Sequence, residues 1–249
     1  GNTITDQSTN SNNWTLGAGT LTNTEDCPSD VFCTINPLTL AASQWTLANG
    51  NTSTNGNGSN AWRGLISTLA VTKGKYYFET KVTGIEGGDP GNIIFGITDI
   101  AQYVQTASNA AFSQTSRGYG YRASSGNKIN SGTETAWGNT YTTNDIIGCA
   151  FDLDNNKIYF SKNGTWETSG DPTSGATGTG AAFTLASGYT YTPAFSSYYS
   201  AEKYSVNYGN GYFGTTAIAS EGTNASNIGK FEYDVPTGFT ALSTKGLQE

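Results

Sequence analysis

Asp152 and Asp154, in the stretch FDLDNNK, are the most enzyme-like pair in this chain. Two carboxylates at i and i+2 on a strand project from one face. Carboxylates flanking a scissile bond are the machinery of glycoside hydrolysis. A strand motif of the form E-x-D-x-x-E, which would complete that machinery, does not occur. Asp154 also has a plainer role, facing Lys157 across a turn. The same DLDNN run begins like a calcium loop but lacks the glycine at the sixth position and the glutamate at the twelfth. The chain has no histidine, so the commonest general base and zinc ligand are missing and no Ser–His–Asp triad can form. No G-x-S-x-G elbow is present. The glycine-rich runs at 84–91 and 170–180 lack the G-x-x-x-x-G-K pattern of a phosphate cradle. These residues predict no catalysis, no metal and no cofactor.

Three cysteines remain. Cys149 falls on the inward face of an expected strand and is expected to be a buried free thiol. Cys27 and Cys33 bracket CPSDVFC, where a small disulfide loop and two free thiols both fit.

Recognition chemistry is better supplied. The chain holds 15 Tyr, 11 Phe and 5 Trp. Tyr103, Tyr198, Tyr199, Tyr212 and Trp166 fall in expected loops or strand ends. Rings placed there stack on sugars or anchor protein interfaces; the alternative is that they cover the ends of the fold. Arg63, Arg117 and Arg122 are the only arginines. Arg122 lies beside Tyr119 and Tyr121 and is either a binding residue or a structural partner of Asp99. Twelve Lys and Arg against 19 Asp and Glu give a net charge of −7. With no basic run, a nucleic-acid surface is not expected. No apolar run approaches the ~20 residues of a membrane-spanning helix. Residue 1 is not methionine, and the chain reads as a fragment or processed product. Five Asn-x-Ser/Thr sequons occur in a sequence so rich in these residues that chance accounts for most of them.

Strands must position these groups. Ile147, Cys149, Phe151 and Leu153 alternate with Ile146, Gly148, Ala150 and Asp152, the period of a strand with one buried face. Asn155–Asn156 predicts a two-residue turn. That turn would pair Asp154 with Lys157, Leu153 with Ile158 and Phe151 with Phe160. Further strands are expected at 65–71, at 76–82 with Tyr76, Phe78, Thr80 and Val82 on one face, and at 93–98, buried on both faces. Others are expected at 118–122, 128–129, 189–195 and 204–208. Trp45 and Leu47 precede an Asn49–Gly50 turn. Thr168–Gly180 reads as a loop. No segment keeps a helical period over ten residues. Many short strands between Gly and Asn turns predict an all-β sandwich. Residues 1–36, with Trp14, Leu16 and Leu21 as thin apolar anchors, read as an N-terminal arm or the end of a preceding module. Residues 37–242 are the sandwich and 243–249 a tail.

The hairpin IIGCAFDLDNNKIYFSKNG resembles the central hairpin of SPRY domains. GKYYFETKV at 74–82, IIFGITD at 93–99, GYGYRASSGNKINSG at 118–132, YTPAFSS at 191–197 and SVNYG at 205–209 resemble its other strands, in order. The resemblance implies a bent antiparallel β-sandwich, a concanavalin-like jelly roll, that binds rather than catalyses. DCPSDVFCTINPL with WTLANGN, and FEYDVPTGFTALSTKGL at 231–247, resemble segments that bracket SPRY domains in bacteriophage tail or fibre proteins; Cys27 and Cys33 depart from that pattern. This implies a module on the virion surface contacting a host-surface glycan or protein. The alternatives are a capsid or fibre decoration protein that binds other virion proteins, possibly as a homo-oligomer, and a cellular SPRY protein-interaction module. A SPRY-like fold brings the loops around 99–117, 121–128, 132–144 and 196–203 to the surface, which makes Tyr103, Tyr119, Tyr121, Arg122, Trp137, Tyr198 and Tyr199 the binding candidates.

Overall fold

A computed structural model describes residues 8–10, 12–13, 17, 25–39, 45–56, 60–85, 91–105 and 110–248. Trp14, Leu16, Leu21 and the sequons that include residues 14–15 and 57–59 lie outside the described residues. The strands form two main sheets. The first runs in the order β1 (Leu47–Ala48), β2 (Ser53–Thr54), β14 (Lys203–Asn207), β4 (Lys75–Gly84), β9 (Ile146–Asp152), β10 (Lys157–Lys162) and β11 (Thr165–Trp166). The short β12 (Phe183–Thr184) pairs with β10, and β17 (Thr240–Ala241) runs parallel to the start of β4. The second sheet has the order β3 (Arg63–Ile66), β13 (Tyr191–Ser197), β5 (Ile94–Asp99), β6 (Gly118–Arg122), β7 (Lys128–Asn130) and β8 (Thr133–Thr135). A ribbon of β15 (Tyr212–Phe213) and β16 (Thr216–Ala217) stands apart from both sheets. Among the described residues the α-helix is a single short one, α1 (Ile100–Gln105).

Aromatic rings join the sheets. Phe78 on β4 meets Phe195 on β13 at 6.0 Å, Tyr204 on β14 meets Phe95 on β5 at 5.2 Å, and Tyr121 on β6 meets Phe160 on β10 at 5.5 Å. Each buried ring of this kind stabilises the fold by about 1.5–3 kcal/mol over its exposed state. Antiparallel sheets pack face to face as expected, and β5 is buried throughout.

The signature hairpin departs from the expected register. Asp152 pairs with Lys157, Phe151 with Ile158 and Cys149 with Phe160, closing a four-residue loop instead of two. Phe151 and Phe160 are both buried but are not opposite each other. The shift is by two positions, so every side chain keeps its face. The cause is local. The Asp152 carboxylate accepts from the Asn155 amide at 2.9 Å and from its side chain at 2.7 Å, and it pairs with Lys75 at 3.1 Å. The Leu153 amide donates to the Gly74 carbonyl at 2.9 Å, which draws residue 153 towards β4 and away from β10.

Strand β9 is buried on both faces, not one. Its second face is covered by Tyr77, Tyr159 and the segment around Phe231, whose ring lies 5.0 Å from that of Tyr77. Residues 32–35, assigned from sequence to the arm, belong to the sandwich: Phe32, Cys33 and Ile35 are core residues. Phe32 bridges to Ser243 and Ile35 to Ser67, so the two flanks pair with each other and with the sheets. Leu242 is buried in the same core.

Candidate functional site

Few charges in this chain are spent on the surface without a task. Five acids are almost completely buried: Glu79, Asp99, Asp152, Glu167 and Glu202. A buried carboxylate is costly unless it is hydrogen-bonded or paired, and each of these ties down a loop. Glu167 accepts from the Tyr121 hydroxyl at 3.0 Å, the Asn139 amide at 3.1 Å and the Asn139 side chain at 2.8 Å. Asp99 pairs with Arg117 at 2.7 Å. Asp152 is held by Lys75 and Asn155, and Asp154 accepts from the Gly74 amide at 2.9 Å. The enzyme-like pair is therefore engaged in building its turn.

Glu202 organises the surface of interest. One carboxylate oxygen accepts from the consecutive amides of Tyr198 and Tyr199, at 2.8 and 2.9 Å, and the other from the Asn92 amide. This fixes the turn after β13 as a tight hook. Register then decides what lies beside it. Arg63 pairs with Ser197, Ser196 with Ile94, and Ile94 with Arg122. The start of β3, the end of β13, the start of β5 and the end of β6 therefore meet at one end of the second sheet.

A row of half-buried side chains runs along that end. Tyr199 and Tyr198 touch edge to face at 5.0 Å, Tyr198 and Trp62 at 5.7 Å, and the Arg122 guanidinium sits 5.6 Å from the Trp62 ring. Arg122 is held by Glu134 and Asn92, and its Nε donates to Ser124 at 3.1 Å. Burial would raise Glu134, but Asn127, Arg122 and Ser125 outweigh it and hold the carboxyl below the usual range. The guanidinium is thus fixed and charge-paired, a flat face over an indole rather than an open anion site.

Three of the seven sequence candidates, Arg122, Tyr198 and Tyr199, come together here. Tyr103, Tyr119 and Tyr121 do not; they are core residues. Their hydroxyls are used inside the fold: Tyr103 donates to the Gly64 carbonyl, Tyr119 accepts from the Ala186 amide at 3.0 Å, and Tyr121 donates to the Asn139 carbonyl and to Glu167. Burial pushes Tyr103 up to about 12, so its phenol stays protonated. Trp137 packs edge-on against Tyr121 at 5.4 Å and Phe160 at 6.0 Å, closing the side of the core. Trp166 likewise leans on Tyr77. The expected Asp99 partner is Arg117, not Arg122.

The candidate disulfide is absent: Cys27 and Cys33 are both free. The Cys27–Asp30 turn leaves Cys27 exposed, while Cys33 faces inward and its sulfur accepts from the Leu69 amide at 3.3 Å. Two sequon asparagines, Asn163 and Asn224, spend their side-chain amides on Asp145 and on the Ile228 and Gly229 carbonyls.

Sequence reasoning missed Trp62. It lies one residue before β3, and pairing the start of β3 with the end of β13 would have put it beside Tyr198.

The SPRY-domain profile matches residues 75–211, just over half of the chain. This chain belongs to the SPRY-domain family. Ran-binding protein 9 of Danio rerio is 38% identical over 92 residues, which is 36% of this chain and 14% of that protein. The ATP-dependent RNA helicase DDX1 of Xenopus laevis is 31% identical over 103 residues, 41% of this chain and 12% of the helicase. The SPRY chain thus corresponds to a small part of these relatives' length. Among solved structures, the SPRY domain of human HERC1 superposes with a TM-score of 0.52 at 21% identity, covering 69% of this chain and 96% of that one. That likeness speaks to the fold. Trp62 and the C-terminal flank that packs on the first sheet lie outside the matched residues.

Proposed function

We propose that this chain is a non-catalytic protein-recognition module, a SPRY domain of the cellular kind, and that it binds through the row Trp62, Tyr198, Tyr199 and Arg122. The observation that carries this reading is the hook held by Glu202. Three neighbouring aromatic rings and a stacked guanidinium are fixed before any partner arrives, so little side-chain entropy remains to be lost on binding. Trp, Tyr and Arg are the residue types that dominate interface energetics. The relatives named Ran-binding protein support protein rather than glycan as the partner class. Because they match over a small part of their length, their own partner is not assigned to this chain.

One observation favours a second reading. The flanks whose sequences resemble phage segments, 26–38 and 231–247, pair directly: the Cys33 amide donates to the Leu242 carbonyl at 2.9 Å, and Val31 and Thr244 bond each other. They behave as one bracket around the domain, which suits a virion-surface module contacting a host glycan or other virion proteins. The animal relatives lend that setting no support.

The test is a selection from a random peptide library displayed on yeast, with the Trp62→Ala/Tyr198→Ala double variant as counter-screen and a glycan array in parallel. Peptides that bind the parent and lose about thirtyfold or more on the variant support the first reading. Glycan binding that depends on the same residues, with no peptide enrichment, supports the second.

A further inference from the structure

On the far side of the domain from the signature strands' shared core, the start of β4, the β9–β10 loop and the C-terminal flank enclose a cavity of about 280 Å³. Its polar lining comes from Lys75, Tyr76, Asp154, Ser226 and Thr240, with Phe239 beside them. A water occupies about 30 Å³ in the liquid, so the space takes several waters or one six-membered ring with its hydroxyls. The Thr240 hydroxyl is the informative atom. Thr240 is 6% exposed, and its Oγ1 has no hydrogen-bond partner in the protein. Buried hydroxyls are normally satisfied, and one left without a partner costs free energy. Two glycines keep the polar atoms open. A Cβ at Gly74 would come 2.8 Å from the Tyr76 hydroxyl, and one at Gly246 would come 3.3 Å from Thr240 Oγ1, besides striking the Ala241 carbonyl.

The charges restrict the occupant. Lys75 is paired with Asp152 at 3.1 Å and lies 5.9 Å from the centre of the Phe239 ring. Asp154 uses one oxygen for the Gly74 amide, and its side chain is exposed at the cavity. An anion would meet Asp154 and a cation would meet Lys75. Groups that both donate and accept suit a wall of ammonium, carboxylate and hydroxyls. Burial and then the Asp154 charge raise Tyr76, which keeps its phenol protonated as a further donor.

We propose that this cavity binds a neutral polyhydroxylated ring of monosaccharide size, free or at the end of a glycan chain. Asp154 accepts from a pair of ring hydroxyls, Thr240 exchanges a hydrogen bond with another, and Lys75 and Tyr76 donate. The walls come jointly from the hairpin turn and from residues 225–246, beyond the matched SPRY region, so the site belongs to this chain's own flank. It is separate from the Trp62 row and stands independently of it.

The experiment titrates the intact, isotope-labelled chain with glucose, galactose, mannose and N-acetylglucosamine, and with their methyl glycosides, to tens of millimolar, following backbone amides by NMR. One of these sugars is expected to shift Gly74, Asp154, Ser226 and Thr240 together. Thr240→Val, which replaces an unsatisfied hydroxyl by an isostere and folds at least as well as the parent, should weaken it about tenfold. Asp154→Asn, which keeps an acceptor for Gly74, should do the same. Trp62→Ala should leave it unchanged. A methyl glycoside that binds as well as its free sugar assigns the site to a chain terminus, and one that does not assigns it to the free sugar. The proposal is overturned if no sugar moves these amides, or if binding survives both cavity variants.

Discussion

Glu79 and Glu202 are both completely buried, both accept from two consecutive backbone amides, and hold very different things. Glu79 receives the amides of Glu232 and Tyr233 at 2.9 and 2.8 Å, the Tyr77 hydroxyl at 3.1 Å and the Asn207 side chain at 3.2 Å. Those donors fasten the C-terminal flank over the outer face of the first sheet. Glu202 receives Tyr198 and Tyr199, whose backbone is fixed while their rings stay half exposed. One clamp closes the core and the other presents a surface. The same chemistry therefore does not reveal which of two buried acids serves function. What distinguishes them is the exposure of the side chains they position.

Removing the first clamp should have the largest effect. Glu79→Ala strands four donors and uncovers Tyr77 and Phe231, and should cost about 3–5 kcal/mol in urea unfolding. Glu202→Ala should cost less, about 2 kcal/mol. It should also raise hydrogen exchange at Tyr198 and Tyr199 while β4 and β9 stay protected. Equal costs with equal loss of protection would erase the distinction between the two clamps.

The next test uses pH. Burial pushes Glu79 up to about 7 against the pull of its four donors. An acid raised on folding binds more protons in the folded than in the unfolded chain between its two values. Its contribution to stability therefore falls as pH rises from about 4.5 to about 7, by about 3 kcal/mol, and is level outside that window. Asp145 and Asp234, held below the usual range, act oppositely and only in stronger acid. The parent's stability minus that of Glu79→Gln, measured across pH 4–8, isolates the slope. A difference independent of pH would mean that Glu79 stays ionised throughout.

Trp62→Ala and Tyr198→Ala should lower partner affinity by about 2 kcal/mol each and stability by under about 1 kcal/mol, because both rings are only half buried. The smallest effect concerns the thiols. Cys27, exposed and lowered by its Ser29 hydrogen bonds, should be alkylated in the native chain. Cys33 and Cys149, buried and raised by desolvation, should react only after unfolding.

Strand positions were legible because alternation at Tyr76–Val82 and the apolar run before Asp99 are local signals. The hairpin register was not, because Asp152 and Leu153 answer to Lys75 and Gly74, some 80 residues away in the chain. Tyr103, Tyr119 and Tyr121 were misplaced for a related reason. Tyrosine suits a surface and a satisfied core equally well, and only the partner of its hydroxyl decides. Arg122, Tyr198 and Tyr199 were legible through their place at strand ends. Trp62 was missed because its neighbour comes from a strand 130 residues later.

The most direct test of the recognition surface is an NMR footprint of a peptide selected against the parent chain. The account predicts shifts concentrated on the Trp62 indole, Tyr198, Tyr199 and the Arg122 Nε–H, with little change around Glu79 and the C-terminal flank. A footprint centred elsewhere, with those four residues unmoved, would contradict it.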